Sequence, residues 1–250
     1  MCGKFTAMAS WRQVHDFSQP LTIAPGEAPA EAAGEVPKGS NDAVVTYRPM
    51  SNLPVIVFDR QTGCRRIVPM RWGFPHRKDP RIPQPIHARS ESIQTTAAFC
   101  DAFAEGQRGI VVMRTFNEGR EIASGKTEQW TIDPGDGCPR GFAFVWRRFD
   151  LEGLPMPLLA CVMVTVPANA LITRTIMADI DDPRMPAILE DADWSAWLGE
   201  TAATPEAARA TLKTMEGLHW QMQQEPKKPK PEKPPRPAPP PSSDPQSELF

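Results

Sequence analysis

Cysteine at position 2 stands one processing step from the chain terminus. Removal of Met1 would make Cys2 an N-terminal aminothiol, with its amine and thiol on neighbouring carbons. In unperturbed form an α-amine titrates at ~7.7–8.0 and a thiol at ~8.5, so both are partly available as nucleophiles near neutrality. An aldehyde meeting that pair would form an imine with the amine, and the thiolate would then close a five-membered thiazolidine ring. No other residue type offers both steps from one side chain and one terminus. The remaining cysteines, Cys64, Cys100, Cys138 and Cys161, are scattered along the chain. None forms a C-x-x-C pair, which argues against a zinc knuckle and a redox dithiol, and the odd total of 5 argues against an extracellular disulfide framework.

A second chemistry-bearing stretch runs from residue 65 to residue 90. It holds Arg65, Arg66, Arg71, Arg77, Lys78, Arg81 and Arg89 against Asp79 alone, with Trp72, His76 and His87 among them. Arginines interleaved with an aromatic suit phosphate contact plus base stacking. A solvated, proline-rich loop is the plainer explanation of the same charges.

These groups must be carried by a fold, and the chain of 250 residues has room for one domain and a tail. Its 40% hydrophobic and 23% charged content is that of a soluble globular protein. No apolar run reaches the ~18–20 residues of a membrane span, and the N-terminus lacks the layout of a secretory signal, so a cytoplasmic, nucleoid-associated location is expected. From Pro226 onward the composition changes. Residues 226–241 contain nine prolines and a net charge of +4, from five basic residues and Glu232. Such a segment has little to bury, should stay extended, and would favour a polyanion. The expected division is therefore a domain over residues 1–225 and a disordered tail over 226–250.

Within the domain, short β-rich runs predict strands at Val44–Tyr47, Pro54–Phe58, Arg66–Pro69, Gly109–Met113, Gln129–Ile132, Phe142–Trp146 and Leu159–Val166. Helices are predicted at Ser10–Phe17, Thr95–Ala104, Asp191–Leu198 and Pro205–Met215, the last capped by Thr204 with Pro205 in the first turn. Many strands with few peripheral helices indicate an α+β fold around a barrel-like antiparallel β core.

Taken in order, several segments resemble the SOS response-associated peptidases, also called abasic-site processing proteins. The opening Met1-Cys2-Gly3-Lys4-Phe5 is similar to that family's Met-Cys-Gly-Arg-Phe. Met70-Arg71-Trp72-Gly73-Phe74-Pro75 resembles its Trp-Gly segment, and His87-Ala88-Arg89-Ser90-Glu91 its Asn-Ala-Arg-Ser-Glu motif. Thr115-Phe116-Asn117-Glu118-Gly119 stands where the family has Gly-Phe-Tyr-Glu-Trp, and Thr165-Val166-Pro167-Ala168-Asn169 where it has Thr-x-x-Ala-Asn. Arg184-Met185-Pro186 resembles the end of its His-Asp-Arg-Met-Pro motif. The segments span roughly residues 1–198.

The resemblance implies a groove for single-stranded DNA leading to Cys2, which would trap the aldehyde of an abasic site as a covalent crosslink after Met1 is removed. It implies Glu118 as the acid/base group, Lys4, Arg71, Arg77 and Arg89 as phosphate contacts, and Trp72 as a stacking or wedging residue at the displaced base. It implies no metal and no organic cofactor. Two departures stand out: His87 replaces the family's ring-stabilising Asn, and Asp182 aligns with its active-site His, or Asp181 with a one-residue gap. A carboxylate there can shuttle a proton but cannot act as a cation beside Glu118. Lys4 in place of Arg keeps the charge without the bidentate fork.

The chain ends Gln246-Ser247-Glu248-Leu249-Phe250. This resembles the Gln-x-x-Leu-Phe peptides that dock on the bacterial sliding clamp, with Gln246, Leu249 and Phe250 as anchors on an extended tether. The departures leave a non-catalytic DNA adaptor as the second functional expectation. A cysteine peptidase acting in trans comes third.

Overall fold

The computed structural model describes residues 4–7, 45–123, 126–217 and 219–226. The helix expected at Ser10–Phe17 and the peptide Gln246–Phe250 lie outside the described residues, as does Cys2.

The strands in chain order are β1 (Lys4–Ala7), β2 (Val45–Tyr47), β3 (Asn52–Asp59), β4 (Cys64–Trp72), β5 (His87–Arg89), β6 (Arg108–Met113), β7 (Thr115–Ala123), β8 (Lys126–Asp133), β9 (Arg140–Phe149), β10 (Leu158–Pro167), β11 (Arg184–Pro186), β12 (Ile188–Leu189) and β13 (Gln221–Gln224). The helices are short: α1 (Cys100–Ala104), α2 (Ala170–Ile176), α3 (Trp194–Leu198) and α4 (Pro205–Ala210).

Five strands close on themselves in the cycle β3–β4–β10–β9–β6. The barrel is mixed. β4 and β10 run parallel, with Ala160 opposite Arg71 and Cys161 opposite Trp72, and the other four junctions of the cycle are antiparallel. The expected antiparallel core is thus right for most pairings. It fails at β10, which also takes β5 in parallel along its far end. A parallel neighbour needs a long crossover, and the stretch between β4 and β10 supplies it. A second sheet, in the order β13–β8–β7–β1–β2, lies against the barrel through Phe116, whose ring meets Phe142 edge-on at 6.2 Å.

The sequence of β6, Arg-Gly-Ile-Val-Val-Met, explains its place. Every one of its residues is buried, because one face fills the barrel and the other is covered by α3 and β1. The apolar run from Ile110 to Met113 suits a strand covered on both faces. α4 starts as expected, with Thr204 Oγ1 accepting from the Ala207 N–H at 3.2 Å and Pro205 in the first turn. It stops at Ala210 rather than Met215. Among the described residues no helix is long and apolar enough to cross a membrane.

Candidate active site

The end of β10 gathers three of the segments singled out in the sequence. On one side β5 runs parallel to it, with Met163 opposite His87 and Thr165 opposite Arg89. On the other, β11 runs antiparallel, with Thr165 opposite Pro186 and Pro167 opposite Arg184. The Thr165 carbonyl accepts from the Ser90 N–H at 2.9 Å and from Arg184 Nη2 at 2.8 Å. Residues nearly a hundred positions apart are thereby held to one short piece of strand.

Charged side chains lock this arrangement. Arg184, 4% exposed, donates through Nη1 and Nη2 to the two carboxylate oxygens of Glu91, both at 2.7 Å. Burial works against the Glu91 carboxylate, but the Arg184 bonds, the charge behind them and the Ser90 hydroxyl outweigh it and hold its pKa below the usual range. Arg89 Nη2 lies 2.8 Å from Asp182 Oδ2, and Asp182 Oδ1 is 3.6 Å from Arg184 Nη1. The Arg89–Asp182 pair is about half exposed, so it contributes little to stability. Asp182 therefore sits in the cluster, engaged by arginines. Asp181 is exposed nearby.

Glu118 belongs to the second sheet. It is 1% exposed on β7, opposite Trp130 of β8. Its neighbour Asn117 lies directly opposite Lys4 of β1, which starts two residues after Cys2. β7 also rests against α2, the helix that follows β10. Asn169, the last residue of its motif, caps that helix through a 2.9 Å bond from the Ile172 N–H to Oδ1.

These segments are the framework of a known domain. Residues 1–226 match the family of SOS response associated peptidases (SRAP). The chain belongs to the SRAP family. A crystal structure of a protein from Bordetella bronchiseptica is similar at 20% identity and a TM-score of 0.67, over 90% of this chain and 100% of that one. One from Bacteroides thetaiotaomicron gives 16% identity and 0.60, over 72% and 76%. A phage-related protein from B. bronchiseptica gives 15% and 0.59, over 90% and 95%. At these identities the likeness shows a shared fold. No curated protein matches the sequence.

Within this SRAP fold the expected site residues separate. His87, half-buried, opens β5. Trp72 corrects the expectation of a stacking surface: it is 0% exposed, its Nε1–H donates to the Ile86 carbonyl at 3.1 Å, and its ring meets His87 edge-on at 6.4 Å. It is the floor under His87 and cannot receive a base. Arg71 is likewise a brace, donating to the carbonyls of Gly73 (3.2 Å) and Pro80 (3.0 Å), and burial lowers its pKa. The single basic patch over residues 65–90 dissolves along the long β4 strand. Arg65 is buried at its start, bonded to Glu200 and set over the Trp194 ring, and Arg66 pairs with Asp59. Arg81 pairs with Asp79 and Arg89 with Asp182, leaving Arg77 and Lys78 as exposed cations of the loop before β5.

Three partners escaped the sequence reading. Glu91 and Arg184 were both inside quoted motifs, yet nothing in either segment named the other. Glu225, just before the proline-rich stretch, accepts from Asn117 Nδ2 at 2.5 Å and from the Thr131 hydroxyl at 3.2 Å. Among the described residues no cluster of three or more His, Cys, Asp or Glu has the makings of a metal site.

Proposed function

We propose that this SRAP protein binds single-stranded DNA and traps abasic sites covalently through Cys2 once Met1 has been removed. Family membership supports a role linked to DNA damage. The finer reading rests mainly on one relationship: β1, beginning two residues after Cys2, is paired to β7 with Lys4 opposite the residue that precedes buried Glu118.

The chemistry then follows from the groups available. The amine of Cys2 attacks the ring-opened deoxyribose aldehyde, water leaves as the imine forms, and the thiolate adds to the imine carbon to close a thiazolidine. Each step needs a proton delivered or removed, and Glu118 is the acid/base group for them. Arg77 and Arg89 hold phosphates, Arg89 by exchanging Asp182 for the DNA. His87, resting on Trp72, takes the position beside the sugar and supplies a hydrogen bond.

A second reading is favoured by one observation. The resemblance sets Asp182, or Asp181 with a one-residue gap, in the place of the family's His, and Asp182 is engaged by Arg89, so the site lacks that cation. In that reading the protein binds DNA without reacting and serves as an adaptor. In either reading Gln246, Leu249 and Phe250 dock on a sliding clamp.

Incubation with an abasic single-stranded oligonucleotide followed by a denaturing gel separates the two. A shifted band lost in Cys2→Ala and much weakened in Glu118→Gln supports covalent trapping. DNA binding that vanishes on denaturation supports the adaptor.

A further inference from the structure

At the other end of the barrel from Thr165, two arginines converge without a counter-charge. Arg108 opens β6 and is 3% exposed. Its guanidinium lies by the rings of Phe103 and Trp197, at 5.3 and 5.9 Å from their centroids. Its Nε donates to the Trp197 carbonyl and its Nη1 to the Phe103 carbonyl at 2.9 Å. These carbonyls belong to the last turns of the short helices α3 and α1, and the one at Phe103 also accepts from the Gly106 N–H at 3.2 Å, which accounts for two of the three Arg108 nitrogens. Nη2 has no hydrogen-bond partner among the described residues.

Arg60, in the turn between β3 and β4, brings a second guanidinium to the same place. A Cβ added to Gly106 would lie 2.5 Å from Arg60 Nη2 and 3.9 Å from Arg108 Nη2. One added to Gly199 would lie 3.7 and 3.3 Å from the same two atoms. Both glycines have positive φ, +78° and +79°, and a side chain at Gly106 would push Arg60 away. Among the described residues neither arginine has a carboxylate within ion-pair distance. The nearby acids Glu200 and Asp59 are engaged by Arg65 and Arg66. Burial first, and the Arg60 charge second, bring the Arg108 guanidinium down to about 10, still cationic at neutral pH.

Two cations aimed at one point repel each other unless an anion stands between them. We infer that Arg60 and Arg108, over the Gly106–Gly199 saddle, form a binding site for an oxyanion of the phosphate class. A phosphate oxygen can accept from each Nη2 at the ~2.7–2.9 Å of a charge-assisted bond, and arginine donors suit that geometry. The anion is either a free phosphate or a phosphodiester of DNA passing round this end of the barrel. The inference is independent of Cys2 chemistry.

Thermal melts of the full chain at constant ionic strength, with inorganic phosphate or chloride, test it. At phosphate ten times its Kd the wild type should melt about 2–4 °C higher than in chloride, and Arg60→Gln should lose that difference. Arg60→Glu places a carboxylate beside Arg108, so it should melt above Arg60→Gln in chloride and ignore phosphate. At saturating abasic oligonucleotide, where a lost phosphate contact no longer limits binding, crosslinking should be unchanged in both variants. The Trp197 indole N–H resonance assigns the source. If only inorganic phosphate moves it, the anion is free; if an intact single-stranded oligonucleotide moves it in the wild type and not in Arg60→Gln, the anion is a phosphodiester. A wild type indifferent to phosphate, an equal shift in Arg60→Gln, or an Arg60→Glu variant melting below Arg60→Gln would each overturn the site.

Discussion

Arg184 and Glu91 meet through two parallel 2.7 Å hydrogen bonds at the end of β10, and the two residues differ sharply in exposure, 4% against 51% of side-chain surface. That asymmetry decides what each substitution does. Removing Glu91 leaves a buried guanidinium short of its best partner, whereas removing Arg184 leaves a carboxylate that water can reach.

Glu91→Ala should therefore cost about 2–3 kcal/mol of stability, and Arg184→Met, which removes the buried charge while filling its space, about 1 kcal/mol. Urea unfolding of the two variants and wild type checks the order. A larger loss for Arg184→Met would mean that the clamp owes its strength to packing rather than to charge.

The pH dependence follows from the same contact. The Glu91 and Glu200 carboxylates are both held below their ordinary range: burial opposes this, but Arg184 and Ser90 in one case, and Arg65 and Ser195 in the other, outweigh it. The unfolded chain thus binds more protons in acid than the folded one, so stability rises with pH there. Stability is fully present above the unfolded glutamate value of ~4.3 and is lost as pH falls through the lower folded values. Unfolding free energies between pH 5 and pH 3 should decline less steeply in Glu91→Gln and Glu200→Gln than in wild type.

Much of the barrel was legible because its strands are apolar runs. The all-buried β6 and the stretch Ala160–Val166 of β10 could hardly be anything else. β7 escaped because Asn117, Glu118, Gly119 and Arg120 look like a turn. They form a strand because both faces are covered: Asn117 by Thr131 and Glu225, and Glu118 within the interior at 1% exposure. That cover comes from distant segments, which local pattern cannot report. Trp72 was misjudged for the opposite reason. Among arginines it looks like a nucleic-acid contact, but the alternation of β4 turns its ring inward while Arg71 reaches back along the loop.

Trp72 and Arg77 should consequently part company on mutation. Trp72→Ala should destabilise by about 3–5 kcal/mol, without a specific loss of DNA affinity in the fraction that stays folded. Arg77→Ala should leave stability within about 0.5 kcal/mol while lowering the salt dependence of DNA binding by about one phosphate contact. Fluorescence anisotropy across a salt series, alongside melts, tests both.

Thiol reactivity offers a further check. Cys161 is fully buried and its burial pushes the thiol pKa far up, whereas Cys138 is exposed. Since the thiolate is the reacting form, brief iodoacetamide treatment of the native protein should label Cys138 and spare Cys161. Peptide mass mapping would show this, and labelling of Cys161 before unfolding would contradict its placement in the barrel wall.

The most direct test of covalent trapping is the intact mass of the purified protein after incubation with a single-stranded oligonucleotide carrying one abasic site. The prediction is a species equal to protein without Met1 plus the DNA, less one water, absent in Cys2→Ala. Protein that has lost Met1 and binds the same oligonucleotide, yet never gains that mass, would contradict the trapping chemistry and leave the adaptor.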